Sequence, residues 1–213
     1  MKTLIAVPCM DYQESDFVEC LNALTMRYSE DEVEVKFLKA SLVYDARNQL
    51  ATYVTTKGGY DYVLWLDSDM TFEPDLLERL KADMTDGRMA VSGLCFGRKP
   101  PFKPCIFKTL DVQNDGKVIK PIAENWFDYP RDQIFEVAGC GFACLLMKID
   151  VLEAMGLYGV PFFPIAGLGE DIAFCWRAAK LDIRFYCDSR IKIGHIMRIS
   201  VDEAFRDKLF QGQ

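Results

Sequence analysis

The chain has 213 residues, of which 50% are hydrophobic and 27% are charged, a composition typical of globular proteins and unlike that of disordered ones. This length is enough to bury one sizeable core, so we expect a single α/β domain spanning residues 1–213. The net charge of -7 argues against a protein whose whole surface binds nucleic acid or anionic lipid, although it leaves room for a local basic patch.

Predicted strands and helices alternate through the first half of the chain. The continuous apolar run Thr3–Pro8 is typical of a strand buried on both faces of a parallel sheet, and Tyr62–Leu66 gives the strongest strand signal. The alternation predicts a mostly parallel central sheet with helices on both faces. The other predicted elements here are a helix carrying Phe17, Cys20, Leu21 and Leu24, a strand at Val33–Leu38, a helix at Asp45–Thr56 with Ala46, Leu50, Ala51 and Val54 as its inner stripe, a helix that starts near Pro74 and ends near Met84, and a strand at Ala90–Leu94.

The second half of the chain begins with a segment that departs from this alternation of strands and helices. Residues Cys95–Gln133 hold five of the nine prolines, so we expect an excursion beside the sheet, with a hairpin around Asn114–Gly116. The remaining predicted elements are a strand at Glu136–Met147 interrupted at Gly139 and Gly141, helices at Ile149–Met155 and Asp171–Leu181, short strands at Arg184–Cys187 and Arg190–Ile193, and a closing helix at Val201–Phe210.

The eight cysteines and the lengths of the apolar runs bear on localisation. The first apolar run, Leu4–Val7, is too short for a secretory signal, so we expect free thiols in a reducing cytoplasm. A zinc site built on Cys140 and Cys144 is an alternative, but no second Cys/His pair at zinc-ligand spacing accompanies them. No stretch reaches the roughly 20 apolar residues of a membrane helix, so no transmembrane segment is expected.

Two carboxylates follow the strongest predicted strand directly. Asp67 and Asp69 flank Ser68 where the chain leaves Tyr62–Leu66, and ligands of open parallel sheets bind at the carboxyl ends of strands. Carboxylate oxygens suit Mg²⁺ or Mn²⁺, which would in turn hold two phosphate oxygens. The simpler interpretation is a solvated turn that caps the next helix.

The only histidine, His195, also follows a short predicted strand. A lone histidine is often a partly buried structural residue, but neutral imidazole also suits manganese, and the two aspartates lack a third protein ligand. Arg198 lies three residues further on and could approach a phosphate.

A second acidic pair, Glu170 and Asp171, follows Gly167 and Gly169 and opens a predicted helix. The pair is either a helix cap favoured by the helix dipole or a general base that takes a proton from an attacking hydroxyl. Spacing alone leaves both interpretations open.

These features occur in the order found in glycosyltransferases with the GT-A fold, and the chain resembles their family 2-like members. Its C-terminal end is similar to polypeptide N-acetylgalactosaminyltransferases. The resemblance implies a GT-A fold, a nucleoside diphosphate sugar as donor, a uridine diphosphate sugar in particular, and Mn²⁺ or Mg²⁺ as cofactor. The segments that carry it are Ala6–Pro8, Asp45–Asn48, Val63–Asp69, Gly139–Phe142, Gly169–Asp171 and Gly194–Arg198.

The resemblance also implies a role for each matching position. Asp171 would be the catalytic base with Glu170 beside it, and Asp67, Asp69 and His195 would hold the metal. The residues implied at the nucleotide sugar are Pro8, Cys9, Asp11, Asp45, Arg47, Asn48, Ser68 and Arg198. The residues implied on the acceptor side are Gly139, Gly141, Phe142 and Trp176.

Several alternatives stay open at this point. Polypeptide transferases carry histidine where this chain has Asp69 and retain anomeric configuration, whereas family 2 enzymes invert it. Arg47 is otherwise a surface helix arginine, and Asp45 a helix cap. Other function classes are a nucleotidyltransferase, although Pro8–Asp11 is not a glycine-rich phosphate loop, and a non-catalytic carbohydrate-binding module. The acceptor is a glycan, a protein, a small metabolite or a modified nucleic acid, the last suggested by the basic, aromatic segment Phe96–Lys108.

Overall fold

A seven-stranded mixed sheet forms the centre of the computed structural model, which describes residues 1–114, 116 and 119–210. The strand order in this sheet is β2-β1-β3-β10-β5-β11-β8, while β12 pairs with β4, and β7, β6 and β9 form a third sheet. The strands in chain order are β1 (Thr3–Cys9), β2 (Val33–Lys39), β3 (Tyr62–Leu66), β4 (Met70–Thr71), β5 (Ala90–Leu94), β6 (Ile106–Asn114), β7 (Ile119–Asn125), β8 (Ile134–Val137), β9 (Gly139–Cys140), β10 (Cys144–Lys148), β11 (Phe185–Lys192) and β12 (Gly194–His195).

Helices connect the strands and pack on the sheet. The described helices are α1 (Ser15–Thr25), α2 (Val43–Lys57), α3 (Leu76–Asp83), α4 (Ile149–Met155), α5 (Glu170–Ala179) and α6 (Glu203–Phe210).

The prediction of a mostly parallel sheet is confirmed. β1 runs parallel to β2 and β3, and β5 runs parallel to β11. Only β10, which is antiparallel to both β3 and β5, and the edge strand β8 point the other way. A helical crossover connects strands that run parallel, but the segment between β5 and β10 is the excursion beside the sheet. β10 can therefore run antiparallel to its neighbours.

Both faces of the sheet are covered, and each face has its own hydrophobic core. In β3 the side chains of Val63 and Trp65 belong to one core, and those of Tyr62, Leu64 and Leu66 to the other. Strand side chains alternate between faces, so a strand between two cores must be apolar at every position. This explains why the strongest strand signal in the sequence was a continuous run.

Three predicted elements differ from the structure. The predicted strand Glu136–Met147 is divided among β8, β9 and β10, because the chain crosses between two sheets at Gly139. A Cβ there would lie 2.9 Å from the end of the Leu110 side chain and 3.2 Å from Cβ of Cys175, so glycine gives β9 the space to sit against β6 without displacing these side chains. The two predicted strands at Arg184–Ile193 are the single strand β11, which carries an irregularity between Asp188 and Lys192.

The remaining boundaries lie close to those predicted from the sequence. α3 begins at Leu76, slightly later than expected, and the predicted hairpin is formed by β6 and β7. Of its predicted turn, Asp115 lies outside the described residues. All eight cysteines are free thiols. No helix in the described ranges combines the length and the apolar character needed to cross a bilayer.

Candidate functional site

A crevice of about 430 Å³ opens at the carboxyl ends of β1 and β3 and beside the start of α2. Pro8, Cys9, Asp67, Ser68 and Asp69 line it, as the sequence predicted. The crevice lies where ligands of open α/β sheets bind, because strand ends and helix starts meet there. Met10, in the segment from Pro8 to Asp11 that was assigned to the nucleotide base, also lines the crevice. The lining residues that sequence reasoning did not assign to a nucleotide site are Tyr12, Glu14, Ala40, Ser41, Val43, Ala46 and Arg98.

Backbone pairing of two short strands brings Asp69 and His195 together. His195 pairs with Met70 between β12 and β4, and the Ile196 amide donates to the Asp69 carbonyl at 2.8 Å. As a result, Nε2 of His195 lies 3.4 Å from Oδ2 of Asp69. The two residues are far apart in sequence, and it is this β-bridge that makes them neighbours.

A hydrogen bond to a backbone carbonyl fixes the orientation of the His195 imidazole ring. Nδ1 of His195 lies 2.8 Å from the Phe96 carbonyl oxygen, which can only accept, so Nδ1 carries a proton and donates it. Nε2 therefore faces Asp69. The hydrogen bond with Asp69 raises the pKa of His195. A ring whose second nitrogen is held by a carbonyl is the usual arrangement of a metal-ligating histidine.

Asp69 also pairs with a cation from the loop after β5. Nη1 of Arg98 lies 2.7 Å from Oδ2 of Asp69, the same oxygen that faces His195. Burial alone would raise the pKa of Asp69, but the hydrogen bond with His195 and the charge of Arg98 outweigh it and lower the pKa.

Asp67 is turned toward the protein interior. Its Oδ1 accepts from Nη2 of Arg47 at 2.8 Å, and burial raises its pKa although Arg47 opposes the shift. Across the part of the chain that the structure describes, no three His, Cys, Asp or Glu side chains are grouped as a metal site. The chemistry of Asp67, Asp69 and His195 fits a hard divalent cation, and the three-ligand site stays a prediction.

Arg47 does not contact the crevice, contrary to its predicted place at the base or phosphate. It is 2% exposed, and its guanidinium joins Asp67 to Glu170, whose Oε1 accepts from Nε at 3.2 Å. Nη1 also donates to the Phe142 carbonyl at 3.3 Å. Burial would lower the pKa of Arg47, but the carboxylates of Asp67, Asp171 and Glu170 outweigh it, so the pKa stays raised and the cation persists.

Asp171 occupies a half-buried position in the first turn of α5. Two glycines make room for its carboxylate: a Cβ on Gly169 would lie 3.0 Å from Oδ1, and one on Gly141 would lie 3.5 Å from Oδ2. Burial, followed by the neighbouring charge of Glu170, raises the pKa of Asp171 to about 6. A carboxylate with such a pKa is a competent general base near neutral pH.

Gly141 is the one predicted acceptor residue that borders Asp171. Gly139 instead packs under β6, and Phe142 is fully buried in an aromatic cluster with Trp65 and Phe162. Trp176 lies on the outer side of α5, where Nε1 donates to Asp111 at 3.2 Å. Phe142 therefore packs in the core and is wrong as an acceptor-facing side chain.

Besides Arg47, four other predicted nucleotide residues lie outside the crevice lining. Asp11 is exposed and paired with Lys39, and Asp45 is exposed in the first turn of α2, where the N-cap is Leu42. The Asn48 side chain exchanges two hydrogen bonds with the Phe162 backbone, so it fixes a loop and does not face a ligand.

Arg198, the fourth, lies beside two residues of the crevice wall. Nη2 of Arg198 is 2.9 Å from Oε1 of Glu14, and its guanidinium stands 4.9 Å from the centre of the Tyr12 ring. Both partners line the crevice, so Arg198 borders its rim.

A family model identifies the family, and two solved structures share the fold. The family model described as glycosyl transferase family 2 matches residues 6–152. No curated protein matches the chain. The chain is similar to the crystal structure of A197 from STIV, with a TM-score of 0.67 and 18% identity over 93% of this chain and 87% of that one. It is also similar to the crystal structure of GalNAc-T7 with UDP, GalNAc and Mn²⁺, with a TM-score of 0.62 and 10% identity over 94% of this chain and 44% of that one.

Proposed function

The chain belongs to glycosyl transferase family 2, and we propose that it moves a sugar from a uridine diphosphate sugar to an acceptor hydroxyl with the help of a divalent metal ion. The family and the GT-A fold make it a nucleotide-sugar-dependent glycosyltransferase. The identity of the donor nucleobase and the requirement for a metal ion are the parts of this function that we propose. That GalNAc-T7 was crystallised with UDP and Mn²⁺ supports both by analogy of fold.

The charge of the crevice carries the proposal of metal dependence. Its lining holds three carboxylates, Glu14, Asp67 and Asp69, and Arg98 is the single lysine or arginine among the lining residues. A nucleoside diphosphate adds further negative charge, which such a site would repel without another cation.

The metal would be held by Asp67, Asp69 and His195, an oxygen and nitrogen donor set that fits Mn²⁺ or Mg²⁺. When bound, it supplies positive charge to the leaving diphosphate. Arg98 lines the same part of the crevice and would neutralise a phosphate once the ion replaces it as the partner of Asp69.

Asp171 is the proposed base of the transfer. The acceptor oxygen forms a bond to the anomeric carbon, the bond from that carbon to the phosphate oxygen breaks, and the nucleoside diphosphate leaves with the electron pair. Asp171 accepts the hydroxyl proton. One displacement of this kind inverts the anomeric centre. Arg47 holds Glu170, the neighbour of Asp171, against Asp67, so the base and the donor side share one rigid support.

Calorimetry and thermal unfolding with nucleotides test the donor assignment. UDP with Mn²⁺ should bind and stabilise the protein, because a ligand present at 100 times its Kd adds about 2.7 kcal/mol to the free energy of unfolding. Without Mn²⁺ the stabilisation should be largely lost. Equal or tighter binding of GDP would refute the uridine assignment, and equal binding without metal would refute metal dependence.

A further inference from the structure

The loop after β5 belongs to the one long stretch of this acidic chain that contains no acidic residue. Residues 87–110 include Arg88, Arg98, Lys99, Lys103 and Lys108 and neither Asp nor Glu, although the whole chain carries a net charge of -7. Three of these cations, Arg98, Lys99 and Lys103, lie on the loop beside the crevice, which Arg98 lines. Arg88 and Lys108 lie elsewhere and pair with Asp86 and Asp128.

This loop forms a second, shallow groove of about 370 Å³, lined by Gly97–Pro101 and Lys103. Backbone hydrogen bonds order the turn: the Gly97 amide donates to the Lys103 carbonyl, and the Phe102 amide to the Lys99 carbonyl, both at 2.8 Å. Neither Lys99 nor Lys103 forms an ion pair within residues 1–114, 116 and 119–210. Both are exposed, and so are their charges.

The groove shares Arg98 with the donor crevice, and the loop that forms it continues to Cys105, near Gly141. On one side of the loop, the Phe96 carbonyl holds His195. On the other side, Cys105 lies 3.4 Å from a Cβ placed on Gly141, the residue that borders Asp171. An acceptor that reaches Asp171 beside this loop meets a cationic surface.

We propose that the acceptor is a nucleic acid, bound with its phosphates against Lys99 and Lys103 and with a base on the ring of Phe102. This rests on the proposed function, whose acceptor it specifies. Phe102 is 47% exposed in the same turn as the lysines, and cations beside an exposed aromatic ring are the elements that bind single strands. A bilayer surface also presents phosphates, but a flat surface does not enter a concave groove.

Fluorescence anisotropy with a labelled single-stranded 20-mer oligonucleotide tests this without knowledge of the sugar or the modified position. Two phosphate contacts give a slope of about -1.4 in log K against log salt, which is about a sevenfold loss of affinity between 50 and 200 mM KCl. The Lys99→Ala/Lys103→Ala variant should lose most of the affinity at 50 mM and nearly all of this salt dependence. Phe102→Ala should weaken binding about tenfold with the slope unchanged.

A matched variant controls for net charge. Lys120→Ala/Lys180→Ala removes the same two charges from exposed positions on β7 and after α5, outside the groove and the crevice, and should bind the oligonucleotide like the parent protein. Lys99→Arg/Lys103→Arg should retain binding, because the charges are kept.

Three results would overturn the proposal: no binding at 50 mM KCl, equal losses in the Lys99/Lys103 and Lys120/Lys180 variants, or binding to phosphatidylglycerol vesicles in place of the oligonucleotide. UDP binding with Mn²⁺ is measured separately on the parent protein. If UDP does not bind while the oligonucleotide binds through Lys99 and Lys103, the donor assignment is wrong, but the assignment of the groove to nucleic acid is retained.

Discussion

Replacement of Arg47 by methionine separates the buried ion-pair network from the crevice it supports. Methionine keeps much of the apolar volume but leaves Asp67 and Glu170, with side chains 30% and 12% exposed, without their common cation. Removal of one partner from a buried pair costs about 3–5 kcal/mol, and the partial exposure of Asp67 favours the lower end. At about 2–4 °C per kcal/mol for a chain of this size, the midpoint of thermal unfolding should fall by about 6–12 °C.

The pH dependence of this deficit is the sharper test. Burial already raises the pKa of Asp67, and the loss of Arg47 removes the charge that opposes this shift, so the pKa rises further above its unfolded value. The folded protein is therefore destabilised at a pH above that pKa, and the penalty disappears as the pH falls through it. The loss in unfolding temperature, measured by calorimetry at pH 7.5 and pH 5, should therefore shrink at pH 5. Arg27→Met removes an exposed pair with Glu78 and should change the midpoint far less. A deficit below about 1 kcal/mol, or one that grows in acid, would refute the account of Arg47 as counter-ion.

Three further substitutions test the proposed roles. Asp69→Asn should abolish Mn²⁺-dependent stabilisation by UDP while circular dichroism stays native; retained stabilisation would remove Asp69 from the metal site. Arg98→Gln should tighten Mn²⁺ binding to the nucleotide-free protein, because Arg98 competes for Asp69, and should weaken UDP binding in calorimetry; effects of the same sign would contradict this exchange. Asp171→Asn should lower turnover about 10²–10⁴-fold with unchanged UDP affinity. In the parent enzyme kcat/KM should rise with pH through about 6, as Asp171 loses its proton, and proton resonance should show an inverted anomeric centre.

The fold could be predicted from the sequence wherever burial left a periodic or continuous pattern. β3 and β5 have the predicted bounds because both faces of each strand are buried, and the continuous apolar runs record this. The interruptions of Glu136–Met147 at Gly139 and Gly141 were predicted, but the pairing of the short middle strand β9 with β6 was not. This pairing places Gly139 against Leu110 of β6, and local sequence carries no trace of a partner so distant along the chain.

The site was predicted best where a side chain follows the end of a strand. Asp67 and Asp69 line the crevice, and His195 lies beside Asp69. Arg98 was missed as a crevice residue because it follows β5 by several residues, and only the folded loop returns it to Asp69. For an exposed polar residue such as Asp45, the sequence does not indicate toward which part of the fold the side chain points.

The placement of Arg47 was an avoidable error. Arg47, Leu50, Ala51 and Val54 stand at helical positions i, i+3, i+4 and i+7, so the arginine belongs to the buried stripe of α2. A buried arginine requires buried carboxylates, and the sequence offers few candidates outside the two acidic pairs that were already assigned to chemistry.

The same arrangement links stability to activity. Asp67, Glu170 and Asp171 surround one buried cation, and the surplus negative charge contributes to the raised pKa of Asp171. A second buried cation would stabilise the fold, but it would lower that pKa and weaken the base. The surplus also leaves the crevice short of positive charge, which a metal ion brought with the donor can supply. On this argument the same surplus of negative charge makes Asp171 a stronger base and destabilises the fold. Asp171→Asn should therefore raise the unfolding temperature at pH 7.5 while it removes turnover.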